Sequence, residues 1–296
     1  SWLFCSQVGV ATALAGMAVS DPQQQLQAVI FFALMCAFFS ATQDIALDAY
    51  RIESAESSMQ AALAAMYQTG YRLAMIWAGA GTLALAAWNA GGEVGYFHRA
   101  WEFAYFSMAA SMSVGIVTVL VIREPEAPVR LVETVRRSWS ERFANNVLLP
   151  FKDFFLRFGW GAVGILLLIA TYRISDIVMG VMANPFYSDT GFTKEEIATV
   201  SKVFGVIMTL LGAFLGGIVT MRLGILRTMA IGAVLAAVTN LLFAALSVVG
   251  HSVGFLIFTV SADNLAAGLA SAAFIAYLSS LTNKAYSATQ YALFSS

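Results

Sequence analysis

Apolar runs of about twenty residues recur along almost the whole chain, each the length that a bilayer core requires of a helix rising ~1.5 Å per residue. They cover 2–20, 26–50, 60–88, 100–122, 159–187, 196–221, 225–249 and 253–282, and a further run begins near Tyr286. Short polar stretches separate them, with one long exception at 123–158. The pattern predicts an all-α polytopic membrane protein with about eight to nine transmembrane helices.

Composition agrees. Charged residues make up 11% of the chain and hydrophobic ones 59%, where a soluble domain carries roughly 25% charge. The net charge of −1 says little, but the placement of the charges gives an orientation. The segment 123–158 holds Arg123, Arg130, Arg136, Arg137, Arg142, Lys152 and Arg157, and Arg51, Arg222, Arg227 and Lys284 fall on the same side. The opposite loops carry Arg99 and Lys194. The basic side is therefore expected to face the cytoplasm, so the first run crosses outward. Ser1 stands in mid-hydrophobe without a basic leader, which favours a piece of a longer chain over a signal peptide.

The long polar stretch divides the chain into residues 1–122, part of one helix bundle, a cytoplasmic linker at 123–158, and residues 159–296, part of a second bundle. The end of the linker, LLPFKDFFLRFGW, sets Phe151, Phe154, Phe155 and Phe158 around Lys152 and Arg157. That spacing predicts an amphipathic helix in the membrane interface. Two bundles joined by a basic loop suggest a transporter of parallel repeats. A short internal match, Gln60-Ala61-Ala62-Leu63 against Gln290-Tyr291-Ala292-Leu293, points the same way.

Ionised groups in hydrocarbon are costly, so those inside the runs should face protein or a water-filled cavity. In SATQDIALDAYRIE, Asp44 and Asp48 share a helix face that Arg51 continues. Asp48, Arg51 and Glu53 read as a charge cluster at the cytoplasmic end. Asp44 lies deeper and is the better candidate for carrying a proton. MYQTGYRLAM places Tyr67 and Tyr71 on one stripe and Gln68 and Arg72 on the next, at depths of roughly 12–18 Å. Arg72 and Asp44 can form either a structural ion pair or one wall of a polar cavity. TYRISDIVMGVMANPFY adds Tyr172, Arg173 and Asp176 near mid-membrane and Asn184 farther out, with Pro185 expected to end or bend the helix. Thr193 and Glu196 have capping-box spacing. Asp263 and Asn264 precede a run of small residues suited to close helix packing, and Asn240 suits an interhelical hydrogen bond. Neither a catalytic motif nor metal-ligand spacing of His and Cys is present in the sequence, so no enzyme, metal, cofactor or nucleic-acid partner is expected.

Three stretches, SATQDIALDAYRIE, YRISDIVMGVMANPFYSDTGFTKEEIATVSKVFG and SATQYALFSS, resemble the AmpG-type muropeptide permeases of the major facilitator superfamily. The resemblance implies a two-bundle major-facilitator-like fold lacking its first two helices and most of its last ones. It also implies a proton-driven importer in the bacterial inner membrane, and the chain is expected to be monomeric. The implied cargo is N-acetylglucosaminyl-1,6-anhydro-N-acetylmuramyl peptides, whose uptake feeds wall recycling and influences β-lactamase induction. Within the first stretch it puts the functional weight on Gln43 and Asp44. The residues suit such a glycopeptide: Gln43, Tyr67, Gln68, Tyr71, Tyr172, Asn184 and Asn264 for sugars and amides, Arg72 and Arg173 for carboxylates. Asp44, Asp48, Asp176 and Asp263 are the candidates for proton coupling. A related carrier of another polar solute, such as a nucleotide thioester, is the alternative.

Overall fold

The computed structural model describes residues 2–56, 59–91, 96–122 and 147–295, and within them the side chains of Asp176, Asn184, Lys194, Glu195, Ala198, Lys202 and Val203 fall outside the description. Most of the expected linker, 123–146, lies outside the described residues, including five of its arginines (Arg123, Arg130, Arg136, Arg137, Arg142).

Every regular element among the described residues is helical. In chain order they are α1 (Trp2–Val19), α2 (Leu26–Glu53), α3 (Gln60–Ile76), α4 (Thr82–Asn89), α5 (His98–Val121), α6 (Leu149–Phe158), α7 (Gly161–Tyr172), α8 (Ile174–Asp189), α9 (Lys194–Thr199), α10 (Val206–Leu223), α11 (Ile225–Val249), α12 (Val253–Leu281) and α13 (Ser287–Ser295). Seven stretches among the described residues are long and apolar enough to cross a membrane. Their outward side chains are what lipid demands: Phe31, Leu34 and Phe38 stand 61–68% exposed along α2.

Three details depart from the simple runs. The run at 60–88 is not one α-helix: a π-helical turn at Trp77–Gly81 joins α3 to α4, within the glycine-containing stretch WAGAG. The run at 159–187 breaks at Arg173, whose φ of −103° and ψ of 3° separate α7 from α8. Pro185 does not end its helix. Helix α8 continues to Asp189 because Phe186 and Tyr187, just past the proline, pack with Phe243, Leu246 and Leu256. The helix closes at Gly191, whose φ of +89° suits glycine alone.

The described chain forms two compact units, Ser1–Ser54 with Leu73–Val132, and Ala55–Arg72 with Glu133–Ser296. In the first, α1 packs on α2 and α5, and α4 on α5. In the second, α12 is the central helix, with α10 and α11 against it. The small-residue run predicts this contact: a Cβ added to Gly268 would stand 2.3 Å from the Thr209 carbonyl oxygen, so α10 and α12 meet backbone to backbone. The start of α3 joins this unit through Ala61 and Ala64, packed on Ile275 and Ala276.

Candidate functional site

In the first unit the polar tail of α2 carries two acids with different surroundings. Asp48 and Arg51 are both buried and form an i,i+3 ion pair at 3.3 Å. The Coulomb attraction and the pair's own hydrogen bond hold two charges where either alone would be costly. Asp44, one turn earlier, is exposed, and no hydrogen bond or ion pair reaches it among the described residues. Gln43 beside it is half-buried.

In the second unit α3 presents Gln68 buried, Tyr67 and Arg72 half-buried, and Tyr71 exposed. The Nε of Arg72 is buried and has no hydrogen-bond partner among the described residues. Its guanidinium feels the like charge of Arg173, which the break between α7 and α8 leaves exposed. Two cations within electrostatic reach, one with an idle N–H, form a place where an anion is favoured.

Other predicted residues are drawn into packing. The Tyr172 hydroxyl donates to the Met229 carbonyl at 3.0 Å, and its ring stacks on Phe274 with centroids 5.2 Å apart. Asp263 accepts a hydrogen bond from Thr239 at 3.0 Å. Asn264 accepts from Thr209 at 2.9 Å and donates to the Val260 carbonyl at 2.8 Å. Asn240 donates to Ser175 at 2.8 Å, the interhelical bond its sequence context predicts. The capping box of Thr193 and Glu196 is formed. Asp176 and Asn184 lie on α8, but their side chains are outside the described set.

Sequence reasoning missed a cluster in the second unit, where α6 meets the end of α12 and the start of α13. Helix α6 forms as the phenylalanine spacing predicts, yet Phe154 turns inward, 1% exposed, against Phe158 and Phe294. Asp153 and Arg157 pair at 2.9 Å. Gln290, fully buried, donates to the Pro150 carbonyl and to Asp153, and accepts from Arg157 and from the Asn283 backbone. Burial alone would raise the Asp153 carboxyl, but hydrogen bonds from Gln290 and Asn283 and the charge of Arg157 hold it below the usual range. A glutamine recurring in both halves of the internal match was the available signal. A second missed pair is His251 with Glu196 at 3.1 Å, brought together by the turn between α11 and α12.

Seven long apolar stretches with charged groups set among them define a multi-pass membrane protein. The family model of the Major Facilitator Superfamily matches residues 1–296. The chain is 34% identical over 297 residues to "Putative transporter AmpG 4" of Rickettsia conorii, an alignment covering 100% of this chain and 68% of that protein. It is 33% identical over 298 residues to "Anhydromuropeptide permease" of Escherichia coli K12, covering 99% of this chain and 56% of the relative. The chain belongs to the major facilitator superfamily, and within it to the AmpG-type permeases.

Proposed function

We propose that the chain is part of a proton-coupled importer of anhydromuropeptides across the bacterial inner membrane, supplying wall recycling. The observation that carries the reading is the buried Arg72 Nε in the second unit, unpartnered among the described residues, with Arg173 within its electrostatic reach. The peptide of such a cargo ends in carboxylates, and a guanidinium takes a carboxylate through two parallel N–H donors. Tyr67, Gln68 and Tyr71 on the same helix offer hydroxyls, an amide and ring faces to the sugars and acetamido groups. The name of the Escherichia coli relative supports this cargo class.

Proton coupling falls to Asp44 in this reading. A coupling acid must exchange its proton between states, and Asp48 is tied to Arg51 whereas Asp44 is not. The membrane potential supplies about 2.3 kcal/mol per charge per 100 mV.

The test is uptake of labelled anhydromuropeptide by vesicles carrying the full-length permease, with and without an uncoupler. Wild type should accumulate the label and lose accumulation with the uncoupler. Arg173→Ala should insert normally and lose most uptake. Normal transport by Arg173→Ala would overturn the assignment of the carboxylate site.

A further inference from the structure

Residues 161–183 form one of the stretches able to cross a membrane, yet the helix breaks inside it. Arg173 ends α7 and starts α8, and a break of this kind interrupts the backbone hydrogen-bond ladder. At membrane depth such backbone is tolerated only where protein covers it or water reaches it. Arg173 itself is exposed and lies within electrostatic reach of Arg72. Its neighbours on both sides are held by α11.

Tyr172, just before the break, donates its hydroxyl to the Met229 carbonyl of α11 at 3.0 Å. Its ring lies flat on Phe274 of α12, with 5.2 Å between centroids and 9° between planes. The hydroxyl has room because Gly232 carries no side chain: a Cβ there would stand 2.9 Å from the Tyr172 oxygen. Ser175, just past the break, accepts a hydrogen bond from Asn240 of α11 at 2.8 Å. Met229 and Asn240 lie about 16 Å apart along α11. One contact would leave a pivot. Two at that spacing fix both the position and the roll of the short chain between them, which carries Arg173. Polar bonds between membrane helices add little to their association, but they are directional, and direction is what a guanidinium on a broken helix lacks. Backbone fixed beforehand also needs no ordering when a ligand binds.

We infer that Tyr172 and Asn240 are positioning residues for Arg173, together setting its guanidinium where it meets a carboxylate of the cargo. This rests on the carboxylate reading above. Tyr172 acts through Arg173 and not on the sugars, because its ring and its hydroxyl are both engaged with protein.

The test uses the full-length permease. In vesicles, initial uptake of labelled anhydromuropeptide is measured over a range of concentrations. Tyr172→Phe keeps the stacked ring and loses one neutral hydrogen bond, so it should raise the half-saturating concentration roughly fivefold with the maximal rate little changed. Asn240→Ala should do the same. A fall in maximal rate alone, or wild-type kinetics in both variants, overturns the positioning role. A readout without cargo is the reaction of Arg173→Cys, all other cysteines replaced by serine, with an anionic methanethiosulfonate in nanodiscs. Adding Tyr172→Phe or Asn240→Ala should slow that reaction by a similar factor, because the freed thiol leaves the field of Arg72. Ser247→Ala, at an exposed position of the same helix, should not. An unchanged or faster reaction in both variants overturns the inference. If the reaction slows but wild type takes up no muropeptide, the positioning of Arg173 stands and the cargo reading falls. Muropeptide uptake by wild type with an unchanged reaction and unchanged half-saturation gives the reverse.

Discussion

Replacing Gln290 with Ala should undock α6 from the second unit. The buried amide makes two bonds to uncharged partners, the Pro150 carbonyl at 2.9 Å and the Asn283 N–H at 2.8 Å. It makes two more to charged ones, Asp153 at 2.9 Å and Arg157 at 3.1 Å. A neutral hydrogen bond contributes about 1 kcal/mol net and a charged one about 1.5–3 kcal/mol. Asp153 and Arg157 are partly exposed and retain each other, so water and their mutual pair recover much of the second contribution. The sum is about 4 kcal/mol, or roughly a thousandfold in the ratio of docked to undocked helix. Hydrogen exchange of the full-length permease in nanodiscs reads this directly, through the amides of residues 151–158. Gln290→Ala should accelerate their exchange by two to three orders of magnitude while the middle of α12 stays protected. Gln290→Glu should be worse, since it sets a carboxylate against Asp153. Unchanged protection in Gln290→Ala would mean that Phe154 against Phe294 holds α6 alone and that the amide network is ornamental.

The Asp153 carboxyl is held below its ordinary range, so its contribution to docking is fully present above the unfolded value of about 4 and fades as pH falls through the lower folded value; exchange of α6 measured between about pH 3 and 6 should show this in wild type and lose it in Asp153→Asn. Asp44→Asn should abolish uncoupler-sensitive accumulation in vesicles, whereas Asp48→Asn should lower the yield of folded protein by removing the buried Asp48–Arg51 ion pair; persistent accumulation by Asp44→Asn would move the proton to another acid. Gly268→Ala should cost about 1–3 kcal/mol, measured as a lowered Tm in detergent, because its Cβ would meet the backbone of α10.

The sequence was most legible where one physical variable dominated. The expected runs 2–20 and 225–249 match α1 at Trp2–Val19 and α11 at Ile225–Val249, because hydrocarbon tolerates few polar residues whatever the neighbours. It was least legible where pairing decided the outcome. Gln290 and Asp153 are far apart in the chain, and no periodicity records that they bond. Asn264 illustrates the same limit: an amide in the membrane reads alike whether it meets a cavity or, as here, the Thr209 hydroxyl of the next helix. The break at Arg173 was hidden because apolar residues continue on both sides of it.

The contact of α10 with α12 has a mechanical consequence. Where side chains interdigitate, helices can slide by exchanging rotamers, but here the Thr209 carbonyl faces Gly268 and the Leu265 carbonyl faces Gly212 with no such cushion. Shear along that seam would drive backbone into backbone, so the two helices must travel as one stiff plank. Deformation during a transport cycle is then left to the compliant joints of the chain. Those are the irregular residue between α7 and α8 and the wide π-helical turns before α4 and α10. Stiffening a joint should slow turnover without weakening cargo binding, while loosening the plank should do the opposite.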